Sequence, residues 1–155
     1  MDTFMPIVNE SRLLCMVSDF IQTARSRYSA LEAVVRLLAS NYKHFNWTGI
    51  YILDDGVLKL GPYQGDPSPH DVIPVERGIC GAAVREGKTI VVPDVNADER
   101  YLACSITTRS EIVVPIIKDN IVVGEIDIDS DNSDAFGEYD RKVLEQVADR
   151  LAQLF

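Results

Sequence analysis

The pattern that most restricts how this chain can fold lies in residues 111–130. Two β-rich runs, 111–118 and 121–130, are separated only by Asp119-Asn120, and asparagine tolerates the left-handed backbone that a tight turn needs. The spacing predicts an antiparallel hairpin. In its second run Glu125, Asp127 and Asp129 alternate with Val122, Ile126 and Ile128, so the two faces of that strand differ in kind. Such alternation is what any strand with one wetted face shows. Aspartate, however, is depleted in strands, and two at i, i+2, joined by Glu111 in the neighbouring run, admit a second reading. Three carboxylates in one concavity repel one another unless a cation sits among them, so that reading requires an ammonium-bearing ligand or a metal ion.

The remaining segments supply partners for this hairpin. In residues 11–25, Leu13, Leu14, Val17, Phe20 and Ile21 recur at helical spacing, with Cys15 beside the stripe. Ser29-x-x-Glu32 reads as a capping box opening a second amphipathic helix that runs to about residue 42. Residues 46–53 change period, with Trp47, Gly49, Tyr51 and Leu53 on one side of a strand. Asp55-Gly56 then suits a hairpin turn to a second strand, 57–63. Residues 61–74, punctuated by Gly61, Pro62, Gly65, Pro67, Pro69 and Pro74, read as one long loop. Residues 78–87 suit a short helix with Gly87 as its left-handed end, residues 89–92 a strand, and residues 94–110 a polar loop. Tyr139, Val143, Leu144, Val147, Leu151 and Leu154 mark a C-terminal helix. The order ααββαβββα, with hairpin-length connections, predicts the α+β class: an antiparallel sheet flanked by N- and C-terminal helices.

At 155 residues the chain fits a single domain, 1–155, with residues 1–10 read as a flexible N-terminal segment. Twenty-four acidic against fifteen basic residues give a net charge of −9, a field that repels phosphate backbones, so nucleic acid is not an expected partner. No apolar run approaches the roughly 20 residues that cross a bilayer, and no basic-then-apolar leader opens the chain. No membrane association and a cytoplasmic location are expected.

Three cysteines, Cys15, Cys80 and Cys104, are too few and too widely spaced for a disulfide framework, and no C-x-x-C pair with histidines suggests zinc. Cys15, beside a helical stripe, is read as a small buried hydrophobe. Cys80 falls in the first turn of a helix, where the dipole lowers a thiol pKa, and Cys104 sits in a polar loop, where exposure is expected. Trp47 and Tyr51 either pack in the core or form an aromatic wall for a ligand. His44 and His70 read as a surface residue and a loop residue.

From the second helix onward the chain resembles the GAF-domain free methionine-(R)-sulfoxide reductases. The resemblance rests on Asn46-Trp47-Thr48-Gly49-Ile50-Tyr51, Gly61-Pro62-Tyr63-Gln64-Gly65, Gly78-Ile79-Cys80-Gly81, Asp94-Val95, Ala103-Cys104, Ser110-Glu111-Ile112-Val113-Val114-Pro115 and Ile126-Asp127-Ile128-Asp129-Ser130. It implies Cys104 as nucleophile, Cys80 as a second redox cysteine, Trp47 and Tyr51 as an aromatic pocket, and Glu111, Asp127 and Asp129 as substrate-binding carboxylates. The substrate's ammonium would be the cation those acids require.

The implied reaction is attack of the Cys104 thiolate on the sulfoxide sulfur, giving methionine and a sulfenic acid, then a disulfide. No bound cofactor is implied. Thioredoxin, as the external dithiol, would recycle the disulfide, and pairing of terminal helices would make a homodimer. Two departures from the family pattern stand out. The loop where relatives often carry a third cysteine reads Asp66-Pro67-Ser68-Pro69-His70, so Cys80 must resolve the sulfenic acid or an external thiol must do so. Around the nucleophile the chain reads Tyr101-Leu102-Ala103-Cys104-Ser105 where the family more usually has His-Ile-Ala-Cys-Asp. The rival reading is a GAF sensor that binds a small molecule without chemistry.

Overall fold

The computed structural model describes residues 5–103 and 105–155. Helix α1, Glu10–Thr23, starts where the Asn9 side chain accepts the Arg12 N–H at 2.9 Å, and buries Leu13, Leu14 and Val17. Cys15 is exposed, contrary to the expectation of burial. It sits one residue, about 100° of helix rotation, past Leu14, and that step carries its thiol out of the apolar stripe. Helix α2, Arg27–Asn41, begins three residues earlier than the Ser29-x-x-Glu32 pattern predicts. Ser26 is the cap: its Oγ accepts the Ser29 N–H, and the Ser29 Oγ accepts the Ser26 N–H, each at 3.1 Å. A serine can close the box as a glutamate does, and Glu32 is left to pair with Arg36 at 3.5 Å. Just before α1, the Ile7 and Val8 N–H groups donate to the carbonyl and side chain of buried Asn41.

The sheet has six strands: β1 Trp47–Asp54, β2 Val57–Gln64, β3 Val72–Pro74, β4 Ile90–Val92, β5 Ser110–Lys118 and β6 Ile121–Ser130. They lie in the order β3-β2-β1-β6-β5-β4, and every neighbouring pair is antiparallel. The two predicted turns form, with Asp55, Gly56, Asp119 and Asn120 all at positive φ. The long loop does not span residues 61–74. Gly61 and Pro62 are absorbed into β2, where the register with β1 slips by one residue, and β3 pairs with the start of β2. A bulge tolerates a residue that cannot donate to the ladder, which is why proline does not end this strand. The loop shrinks to residues 65–71.

Helix α3, Gly78–Glu86, crosses one face of the sheet, and helix α4, Glu138–Leu151, packs with α1 and α2 on the other. The alternation along β1, β5 and β6 divides the interior into two cores. Ile50, Ile112, Val114, Ile116, Ile126 and Ile128 face α1, α2 and α4. Tyr51, Val113, Ile79, Cys80 and Ala83 form the second core under α3. This is the predicted α+β arrangement with one more strand. Among the described residues no helix is long and apolar enough to cross a membrane.

Candidate functional site

The strand register lines up the chemistry in rows across three strands. Trp47, Asp129 and Glu111 are directly opposed across β1, β6 and β5; the next row on that face is Gly49, Asp127 and Val113, and the third is Tyr51, Glu125 and Pro115. All the acids of the alternating run therefore point toward α3 rather than toward the large core. They are not on a wetted face: Glu111, Glu125, Asp127 and Asp129 are 5%, 0%, 2% and 4% exposed. Covering a sheet face with a helix turned what reads as a solvent-facing alternation into a row of buried carboxyls.

Two features open on this row. A cavity of about 170 Å³ is lined by Asn46, Trp47, Gly65, Asp66, Ser68, Ser105, Thr107, Thr108, Asp129 and Asp131. It is small beside the roughly 300–1,000 Å³ of drug-sized pockets, which suits a ligand of single-amino-acid scale. The second is a narrow crevice bounded by Ile73, Gly78, Ile79, Cys80, Leu102, Glu111 and Asp127. Trp47 lies flat over Gly49, where an added Cβ would stand 2.4 Å from the indole ring, and stacks on Tyr63 at 5.7 Å. Its Nε1–H donates to the Asp66 carbonyl at 2.9 Å, which fixes the ring as a wall of the cavity.

Tyr51 sits elsewhere. It is fully buried in the second core, and its hydroxyl donates to the His70 carbonyl at 2.7 Å. The His70 ring in turn hydrogen-bonds the Ala103 carbonyl through Nε2 at 3.1 Å. Tyr51 and His70 thus tie loop 65–71 to the segment that leads into the cysteine loop. Neither role shows in sequence, because each depends on a contact between distant segments, 19 residues apart for Tyr51 and His70 and 33 for His70 and Ala103. Cys104, the expected nucleophile, lies outside the described residues.

Cys80 occupies the first turn of α3, as expected, and Gly81 lets α3 pack tightly against the segment that follows β3: a Cβ there would fall 2.5 Å from the Val75 carbonyl oxygen. The electrostatic consequence differs from the expectation. Burial, followed by the carboxylates of Asp127, Glu125 and Glu111, pushes the thiol pKa well up, and the helix dipole is outweighed. The thiol donates to Asp127 Oδ2 at 3.4 Å. Burial likewise raises the carboxyl pKa of Glu125, Asp127 and Asp129, with Asp127 adding repulsion at Glu125 and Asp129. Hydrogen bonds from Glu111 and Cys80 partly offset the rise at Asp127. Burial thus favours the protonated forms of these carboxyls, which suits the site to holding and donating protons.

Glu125 belongs to the same alternation, yet the resemblance assigns it no substrate-binding role. It is the deepest of the acids, and apart from the adjacent Cys80 thiol its oxygens have no donor among the described residues. Its carboxyl nonetheless lies close enough to Cys80 to raise the thiol. The signal was present in the i, i+2, i+4 spacing; what the sequence lacked was the helix that covers it.

A family model described as the GAF domain matches residues 26–155. The chain is 36% identical over 118 residues to the free methionine-R-sulfoxide reductase of Escherichia coli, covering 76% of this chain and 71% of that one. It is similar to the free methionine-R-sulfoxide reductase of Neisseria meningitidis, whose structure was solved in complex with its substrate. The TM-score is 0.89 at 31% identity, covering 100% of this chain and 96% of the other. The reduced fRMsr of Staphylococcus aureus superposes with a TM-score of 0.90 at 36% identity over 99% of both chains.

Proposed function

The chain belongs to the GAF-domain free methionine-(R)-sulfoxide reductases, and from that premise we propose that Cys104 reduces free methionine-(R)-sulfoxide, with the buried acids holding the substrate and supplying the proton. It is an oxidoreductase on a sulfur group. The observation that supports this reading is the row of buried carboxyls beside an aromatic-walled cavity, which calls for a cation of the size and charge of an amino acid's ammonium.

In this reading Asp127 and Glu111 take the ammonium, and Trp47 flanks the S-methyl sulfoxide end. The Cys104 thiolate attacks the sulfoxide sulfur, and the oxygen passes to Cys104 as methionine leaves, so the substrate is reduced and the thiol is oxidised to a sulfenic acid. Asp129, which lines the cavity and whose pKa is raised by burial, donates the proton to the oxygen. The Cys80 thiol then condenses with the sulfenic acid to a disulfide and releases water. A dithiol of the thioredoxin class reduces that disulfide and completes the cycle. Because Cys80 is held as a neutral thiol, its proton must move to a neighbouring carboxylate as it attacks, and Asp127 already accepts its hydrogen bond.

Incubation of the reduced protein with each sulfoxide epimer and dithiothreitol tests this directly. Methionine is expected from the R epimer and not from the S epimer; no methionine from the R epimer would leave a binding domain without chemistry. Asp127→Asn removes the charge that meets the ammonium. Its KM for the R epimer should rise roughly 30-fold, the equivalent of about 2 kcal/mol for one partner of a buried pair. An unchanged KM would remove Asp127 from the binding set.

A further inference from the structure

We propose that Cys80, Glu111 and Asp127, backed by Glu125, form a binding site for one thiophilic divalent cation of the zinc class, which competes with the substrate's ammonium. The thiol sulfur and one oxygen from each of the two carboxylates lie within 4.8 Å of one another, and all three residues are buried. The separation of Cys80 Sγ from Asp127 Oδ2, 3.4 Å, is close to the edge of about 3.6 Å that Zn–S and Zn–O bonds span in a tetrahedron. Carboxyls and a thiol packed together also leave capacity that their neighbours do not use. Apart from the Cys80 thiol and the Glu111 carboxyl beside them, Asp127 Oδ1 and both oxygens of Glu125 have no donor among the described residues, and these two side chains are 2% and 0% exposed. Buried acceptors with no donors have an open requirement for positive charge, whether protons, an ammonium or a metal ion.

The donor set selects the ion. Magnesium and calcium take oxygen ligands and gain nothing from a thiolate, whereas zinc and cadmium combine sulfur with carboxylate oxygen readily. Binding replaces the Cys80 thiol proton and the carboxyl protons, which leave to solvent, so it liberates protons and weakens as pH falls. No electron moves. Its consequence for catalysis is inhibitory: a metal-held Cys80 is not available to condense with a sulfenic acid, and Asp127 is no longer available to an ammonium. That last clause rests on the assignment of the ammonium to these acids; the metal site itself rests only on the geometry.

The test is titration of the fully reduced wild-type protein with CdCl2 under anaerobic conditions, followed by the ultraviolet thiolate-to-cadmium charge-transfer band, and calorimetric titration with ZnCl2. About one ion per chain is expected, with release of protons measured in buffers of different ionisation enthalpy. Cys80→Ser should lose the band, and Glu125→Gln should weaken zinc roughly tenfold, the loss typical of a group supporting the ligands. Cys15→Ser is the control and should keep the band at full strength. A band unchanged by Cys80→Ser, or lost in Cys15→Ser, overturns the site. Circular dichroism verifies that each variant is folded, so that a lost band reports a lost ligand. In Cys104→Ser protein, which binds the substrate without oxidising Cys80, saturating methionine-(R)-sulfoxide should raise the apparent zinc dissociation constant at least about tenfold. Zinc affinity indifferent to bound substrate, with the band still lost in Cys80→Ser, would leave the metal site standing and overturn its competition with the ammonium.

Discussion

Cys104→Ser protein is expected to lose more than about 10⁴-fold in turnover of free methionine-(R)-sulfoxide while its affinity for the substrate changes by less than about twofold. Removal of a nucleophile costs on that order or more because no other group reaches the same transition state. A serine hydroxyl stays protonated near neutral pH and is a poor nucleophile toward sulfur. Binding is a separate matter, since it falls to Trp47 and the acid row, none of which the substitution touches. Steady-state kinetics against the R epimer, paired with calorimetric binding, checks both halves. Residual turnover within about a hundredfold of wild type would assign the nucleophile elsewhere, and a parallel loss of binding would make Cys104 part of the binding set.

The second large effect concerns stability and pH. Burial raises the folded-state pKa of Glu125 above the ordinary carboxyl value of about 4. Below that ordinary range both folded and unfolded chains carry the proton, and Glu125 makes no difference to stability. As pH rises, the unfolded chain releases the proton first, so it binds fewer protons than the native state and the native state loses ground. For one such group the loss approaches about 1.4 kcal/mol per pH unit until the folded pKa is passed. Asp127, Asp129 and Cys80 are raised by the same cause and act in the same sense, each above its own unfolded pKa. Glu125→Gln should therefore match wild type in stability near pH 4 and exceed it by a widening margin toward neutral pH. Urea denaturation across that range measures it. Parallel profiles for wild type and variant would mean that Glu125 is ionised in the native protein.

The parts of this architecture that were legible in sequence are those set by short-range periodicity. The hairpin of β5 and β6, the turns at Asp55-Gly56 and Asp119-Asn120, the left-handed Gly87 and the apolar stripes of α1, α2 and α4 all follow from residues within a few positions of each other. The misses share a dependence on distant partners. Strand β3 has only three residues and ends in Pro74, so nothing but its pairing with β2 reveals it. The outward turn of Cys15 needs the helix phase fixed to one residue. The burial of Glu125 and the raised thiol of Cys80 depend on α3 lying across β6, and an alternating strand reads the same whether water or a helix covers it. Tyr51 reads as an aromatic wall because it shares a strand face with Trp47, yet it lies four residues further along β1, buried and bonded to loop 65–71.

A single-turnover experiment tests the roles of Cys104 and Cys80 together. Reduced wild-type protein is mixed anaerobically with excess free methionine-(R)-sulfoxide and no external reductant. Methionine is then quantified, and the thiols are mapped by alkylation and peptide mass spectrometry. The expected result is about one methionine per chain, with Cys80 and Cys104 recovered as a disulfide and Cys15 still alkylated. Absence of methionine, or methionine formed while Cys104 remains a free thiol, would contradict the account.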